Sequence, residues 1–229
     1  MTRGVPGELA DGRPRDYDWA VYINCPFDAE FGEYLDAIIF AVICCGLEPR
    51  SALALNNVSD TRVERIAQAL GDCRLSIHDL SRLAADKKTG VARMNMSLEL
   101  GIAMALHRSS KRQRGLPQHD WTALVIEGSA YKQALSDVNG NDLQRYKDKN
   151  ELVAQVMSWL SPRMNDIELS ADPTQVVNQL PVLDLELKVL RGKWFNKLPW
   201  EKLVASGRDL AQRKGLLPGG APDRAGHQP

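Results

Sequence analysis

Several common features are missing from this chain of 229 residues. No apolar run approaches the roughly 20 residues that a membrane-spanning helix needs. The first residues, MTRGVPGELADGRPRD, lack the apolar core of a signal peptide. Both absences predict a cytoplasmic protein with no membrane partner. The four cysteines, Cys25, Cys44, Cys45 and Cys73, show no paired metal spacing, and adjacent Cys44 and Cys45 inside an apolar helix rarely bridge, so reduced, buried thiols are expected. Neither HxxxH nor CxxC occurs, which argues against metal catalysis. Excess charge is missing too: 29 basic and 29 acidic residues give a formal net charge of zero and no footprint for nucleic acid. The run KRQR, Lys111 to Arg114, is too short to change that and predicts a solvated loop.

What is present is an ordinary globular composition, 44% hydrophobic and 25% charged, in a chain long enough for one sizeable core or a domain with a helical appendage. YDWAVYINC, residues 17–25, predicts a short buried strand ended by Pro26. In GEYLDAIIFAVICCGL, Leu35, Ile38, Ile39, Val42 and Ile43 recur at helical spacing and Gly46 supplies the stop. EPRSALAL, residues 48–55, predicts a second strand, TRVERIAQAL a helix closed by Gly71, and CRLSIHDL, residues 73–80, a third strand. After a polar loop comes an apolar helix over 91–107, then a basic loop HRSSKRQRGLPQHD and a fourth strand, WTALVIEG. Strands alternating with helices predict an α/β fold, an open parallel sheet of four to five strands covered by helices on both faces. Beyond Gly128, SAYKQALSDVNGNDLQRY carries turn signals, NELVAQVMSWL is an amphipathic helix ended by Pro162, and two helices follow, PTQVVNQLPVLDLELKVLRG and PWEKLVASGRDLAQRK. The Pro/Gly-rich end, GLLPGGAPDRAGHQP, predicts disorder.

The helix VARMNMSLELGIAMALH is apolar around most of its circumference, yet it carries Glu99. A buried carboxylate costs several kcal/mol unless it is paired, hydrogen-bonded or facing a cleft. It either pairs structurally with Arg82 or Arg93, or it does chemistry. In an open parallel sheet ligands bind beyond the carboxyl ends of the strands. Three polar clusters fall there: Asn24 to Phe31, His78 to Arg82, and Arg93 to Glu99. Free backbone N–H groups at Asn95 to Ser97 suit an anion. Ser97 lies two residues before Glu99 on another helical face, so it is no candidate nucleophile.

These segments resemble TIR domains and nucleoside deoxyribosyltransferases. YDWAVYINCPFDAEF looks like the opening TIR strand and loop, CRLSIHDLS like the deoxyribosyltransferase strand that ends in an aspartate, and MNMSLELGIAMAL like the Glu-Leu-Gly helix that carries the catalytic glutamate in both families. The likeness covers about residues 17–128 and implies a TIR/flavodoxin-like sheet with Glu99 as catalytic residue. The shared chemistry is cleavage of an N-glycosidic bond in NAD or a nucleoside, in which a carboxylate stabilises or traps the positive charge left on the ribose. NAD would be the substrate, and no cofactor is implied. Asp79 would orient a ribose hydroxyl or water, or else cap a turn in HDLS. His78 is expected to be a sheet-face histidine. Asn24, Cys25, Phe27 and Asp28 would line the first loop, with Phe27 stacking on a base or merely plugging the sheet edge and Asp28 free to cap the next helix. Arg82 and Arg93 would hold a pyrophosphate or lie solvated.

The implied organisation is a leader over 1–16, a TIR-like α/β domain over 17–162, a helical extension over 163–215 and a disordered tail over 216–229. The leading functional expectation is an NAD nucleosidase of the kind that serves bacterial defence against phage, active after self-association. The chain departs from the TIR pattern in having Asn24 and Cys25 where a serine and an aromatic residue are usual, and in lacking the Trp-Cys pair before the glutamate. Those departures favour a second reading, a nucleotide- or protein-binding module without turnover, with Trp194 and Trp200 at an assembly surface or packed onto the domain. A third reading is a deoxyribosyltransferase.

Overall fold

The computed structural model describes residues 14, 16–28, 30–54, 61–82, 94–113, 116–129, 143–164 and 168–219. Its centre is a sheet of five parallel strands, β1 (Ala20–Asn24), β2 (Glu48–Arg50), β3 (Leu75–Asp79), β4 (Asp120–Ile126) and β5 (Gln144–Tyr146), in the order β2-β1-β3-β4-β5. This is the flavodoxin-like order, in which chain reversal beside β1 opens a crevice at the carboxyl ends of β1 and β3.

Every residue of β1 and β3 is buried, because both faces of the sheet are covered. Side chains alternate between the faces. Val21, Ile23, Leu75, Ile77 and Leu124 join a large cluster with helix α1 (Gly32–Cys44). Ala20 and Tyr22 turn the other way, toward Ile66 and Leu70 of α2 (Arg62–Gly71) and Ala103 of α3 (Met94–Arg112). A capping box between Thr61 and Glu64 starts α2.

Helix α1 is buried without interruption from Leu35 to Cys44. The sheet covers one side, and the chain's last helices cover the rest. These are α4 (Lys149–Leu160), α5 (Pro173–Val177), α6 (Leu180–Lys193) and α7 (Trp200–Arg213). Their apolar residues, among them Leu152, Val156, Leu183, Leu187, Leu203 and Leu210, belong to the same cluster as β1 and α1. At the α1–α7 crossing a Cβ on Gly207 would stand 3.0 Å from Ile43 Cδ1, so the missing side chain lets the two helices approach. Buried Asp36 of α1 accepts two hydrogen bonds of 2.7 Å from the Arg191 guanidinium of α6. Lys149 joins α4 to Glu33 and Asp184, and Arg208 pairs with Glu48.

Several boundaries differ from the expectations. The first strand begins at Ala20, since Tyr17–Trp19 form a 3-10 turn. The second is cut to Glu48–Arg50, where Ser51 Oγ accepts from the Leu53 N–H and turns the chain into a 3-10 segment over Ala52–Ala54. The basic stretch after His107 begins as helix, not loop. α3 continues to Arg112, and Lys111 and Arg112 complement its carboxyl end. The helix expected over 173–192 breaks after Val177, because Pro181 has no N–H to continue the ladder and opens α6 instead. β5 is an added strand that no apolar run announces. Past α7, Gly215 takes a positive φ and Leu216 folds back into the main cluster. Residues 220–229 lie outside the described residues. Trp200 is packed, its Nε1 donating to the Pro49 carbonyl, whereas Trp194 is 41% exposed. All four cysteines are free and buried, and no helix among the described residues is long and apolar enough to cross a membrane.

Candidate functional site

The carboxyl ends of β1 and β3 hold Asn24 and Asp79 on opposite faces of the sheet. Asn24 Nδ2 donates to the Met96 carbonyl in the first turn of α3, 3.0 Å away, which docks that helix start on the rim. One turn later stands Glu99, 4% exposed. Its Oε2 accepts from the Tyr22 hydroxyl at 3.0 Å. No described cation forms an ion pair with it, and Arg93 lies outside the described residues. Burial holds the Glu99 carboxyl above the ordinary carboxylate range, while the Tyr22 hydrogen bond and the charge of Arg62 pull it back. The group is thus a dry carboxylate supported by a neutral donor.

Asp79 is 0% exposed, and both of its oxygens are engaged. Oδ2 accepts from the Tyr146 hydroxyl at 2.7 Å, and Oδ1 accepts from the Ser81 N–H at 2.9 Å in an Asx turn. Ser81 Oγ lies 3.0 Å from Tyr146 Oη and accepts from the Ile126 N–H, so this carboxylate ties β3 to β4 and β5. Burial pushes its pKa up to about 6, against the pull of those hydrogen bonds.

His78, on the α3 face, belongs to a buried chain of hydrogen bonds with one consistent set of protons. Asn24 Nδ2 lies 3.0 Å from His78 Nδ1, His78 Nε2 3.0 Å from Ser76 Oγ, Ser76 Oγ 3.0 Å from His119 Nε2, and His119 Nδ1 2.8 Å from the Cys73 carbonyl. A carbonyl only accepts, so His119 carries its proton on Nδ1 and receives one from Ser76 on Nε2. Ser76 in turn accepts from His78 Nε2–H, which leaves His78 Nδ1 to accept from Asn24. Every member is then satisfied in its neutral form. Burial, with His119 adding to it, lowers the His78 pKa to about 3.

The first loop supplies Cys25, Phe27 and Asp28. Cys25 is buried, and desolvation followed by the Asp79 and Glu99 charges pushes its thiol well up, which leaves it a protonated neighbour of both carboxylates. Phe27 is 38% exposed at the rim. Asp28 Oδ1 accepts from the Phe31 N–H at 2.9 Å and so shapes the entry to α1. Arg82 pairs with Glu30 and stands 3.6 Å from Asp28, which bridges the first loop to the turn after β3 and already faces its charge with two carboxylates. Asn95 is exposed and Ser97 half-buried in the first turns of α3.

The rim therefore sets Asn24 against the start of α3, one turn above Glu99, whereas Cys25 packs into the cluster on the α1 side of the sheet and Arg82 bridges to the first loop through Glu30 and Asp28. Tyr22, Tyr146, Ser76, Ser81 and His119 were not singled out from the sequence. Tyr22 had a signal, since it lies two residues before Asn24 on the same strand face. No protein-family model matches the chain, and no curated protein or solved structure matches it either.

Proposed function

We propose that the protein is a TIR-like N-glycosidase that cleaves the bond between ribose and base in NAD or a related nucleotide, with Glu99 as its central carboxylate. The observation that carries this reading is a buried carboxylate, one helical turn below the sheet rim, held by a neutral Tyr22 hydroxyl and by no described cation. As the C1′–N bond breaks, its electron pair leaves with the base and positive charge develops on the ribose. An unneutralised carboxylate in a dry site attracts that charge more strongly than one in water. Water then adds to C1′ and releases its proton to solvent, leaving ADP-ribose with a hydroxyl at C1′ and neutral nicotinamide. Asn24 positions the start of α3, and Asp79, with both oxygens engaged, acts as a positioning residue that fixes β5. Phe27 offers the ring face at the rim, and self-association and a role in phage defence belong to the same proposal.

The test is nicotinamide release from NAD by concentrated protein, beside Glu99→Gln. The expected outcome is a loss of at least about 10³-fold, or ~4 kcal/mol of transition-state stabilisation, with an unchanged melting profile. Equal turnover by the two proteins removes Glu99 from the chemistry. One observation favours a second reading, a binding module without turnover: the Arg82 charge expected to hold a pyrophosphate is met by Glu30 and Asp28. That reading predicts ligand binding without base release by either protein. Base exchange through a covalent intermediate would mark the deoxyribosyltransferase alternative.

A further inference from the structure

At the opposite end of the sheet, the amino ends of the strands, lies a groove of about 870 Å³, within the usual range for small-ligand sites. Two helices that run back from the rim deliver their carboxyl ends there. α3 brings Arg108, Lys111 and Arg112, and the segment after α4 brings Arg163. None of Arg108, Lys111 and Arg112 forms an ion pair with a described residue. β4 pairs with β5 only over Leu124–Ile126, so the groove follows the first residues of β4, Asp120 to Thr122, where no described strand flanks them on that side. The half-buried Trp121 ring contributes to its wall.

Two features separate this groove from an ordinary solvated basic face. The helix dipole of α3 accounts for cations in its last turn, Lys111 and Arg112, but not for Arg108 a turn earlier, nor for Arg163 from another element. Arg163 is also held in place. Its guanidinium lies 4.4 Å from the centroid of the Trp159 ring and Nη1 donates to the Trp159 carbonyl at 2.7 Å, yet its buried Nε has no hydrogen-bond acceptor among the described residues. Asp120 Oδ2, the nearest carboxylate oxygen, is 3.9 Å from that nitrogen and takes a 3.2 Å hydrogen bond from Gln118, while Asp120 Oδ1 faces His107 Nδ1 at 3.3 Å.

From this juxtaposition we infer that the groove binds a nucleoside diphosphate, its phosphates held by Arg108, Lys111, Arg112 and Arg163 and its base against Trp121. Guanidinium groups bind phosphate oxygens through paired N–H donors, and an indole offers a sequence-tolerant stacking surface. The ligand is a small one because a groove of this volume holds one nucleotide and the chain as a whole carries no net positive charge. The site is separate from the Glu99 rim, and its occupancy does not depend on the glycosidase reading.

Calorimetric titration of the full chain with ADP, pyrophosphate and adenosine tests it. ADP is expected to bind at least tenfold more tightly than either fragment. Arg108→Gln/Lys111→Gln/Arg112→Gln changes three exposed side chains and should weaken ADP at least tenfold without altering the melting profile, whereas Glu99→Gln should leave ADP binding unchanged. The inference is overturned by absence of ADP binding, by pyrophosphate binding as tightly as ADP, by a triple variant that binds like the parent, or by an oligonucleotide that outcompetes ADP at equal nucleotide concentration. A protein that releases nicotinamide but fails this titration keeps the rim proposal and loses the groove, and the converse result separates them the other way.

Discussion

The two faces of the sheet are built on different plans. On the α1 face a single apolar cluster runs from the strands through α1 into α4, α6 and α7, and its two buried carboxylates are each held by hydrogen bonds, Asp36 from Arg191 and Asp79 from Tyr146 and Ser81. On the α3 face the apolar residues fall into two smaller clusters, and between them lie the Asn24–His78–Ser76–His119 chain and the Glu99–Tyr22 pair. Apolar packing tolerates small shifts, but a polar chain in a dry interior admits few arrangements. The first face is thus mainly apolar packing, and the other holds Glu99 in a defined place within a polar network. The contrast makes separable predictions, since variants on the first face should move stability alone.

The largest stability effect is expected at the margin of the α1 face. Arg191→Ala leaves Asp36 buried and unpaired, which should cost about 3 kcal/mol in denaturant unfolding and leave nicotinamide release per folded molecule unchanged. A parent-like midpoint would mean that α6 contributes little to holding α1. On the α3 face, Ser76→Ala removes the acceptor of His78 and the donor of His119 together. The expected loss is about 2 kcal/mol, and no shift at all would mean that water replaces the hydroxyl.

Much of this contrast is hidden in the sequence for a physical reason. The all-round apolar surface of α1 marks a buried helix, but nothing local says that α7 covers its outer side, because that depends on Gly207 meeting Ile43 across the fold. β5, with Gln144 and Arg145, has no strand pattern and exists through its pairing with β4 and the reach of Tyr146 to Asp79. Glu99 stands out as a charge in an apolar run. Its donor does not, since Tyr22 lies 77 residues earlier. Arg82 likewise finds Glu30 and Asp28 through the fold, not through its neighbours in sequence.

Asp79 offers a pH test of the comparison. Its folded pKa of about 6 lies above the ordinary aspartate value of 3.8, so between those limits the folded state holds the proton more tightly. Stability from this group is full below about pH 4 and falls as pH rises toward 6. Asp79→Asn should remove that slope, a difference of about 2 kcal/mol between pH 4 and pH 7 relative to the parent. Parallel stability curves for the two proteins would show that the carboxyl titrates as it does in the unfolded chain.

The smallest effect carries the most information about mechanism. Tyr22→Phe keeps the ring that packs against Ile66 and Leu70 but removes the hydroxyl that donates to Glu99. Because that hydrogen bond favours the ionised carboxylate against burial, its loss should raise the Glu99 pKa. The acidic limb of nicotinamide release should then move to higher pH, while the rate on the alkaline plateau stays near that of the parent. If Tyr22 serves only to satisfy a structural carboxylate, the variant will shift the melting profile and leave the pH limb where it was. A moved limb with an unmoved melting profile ties the α3 face to the chemistry through this one hydroxyl.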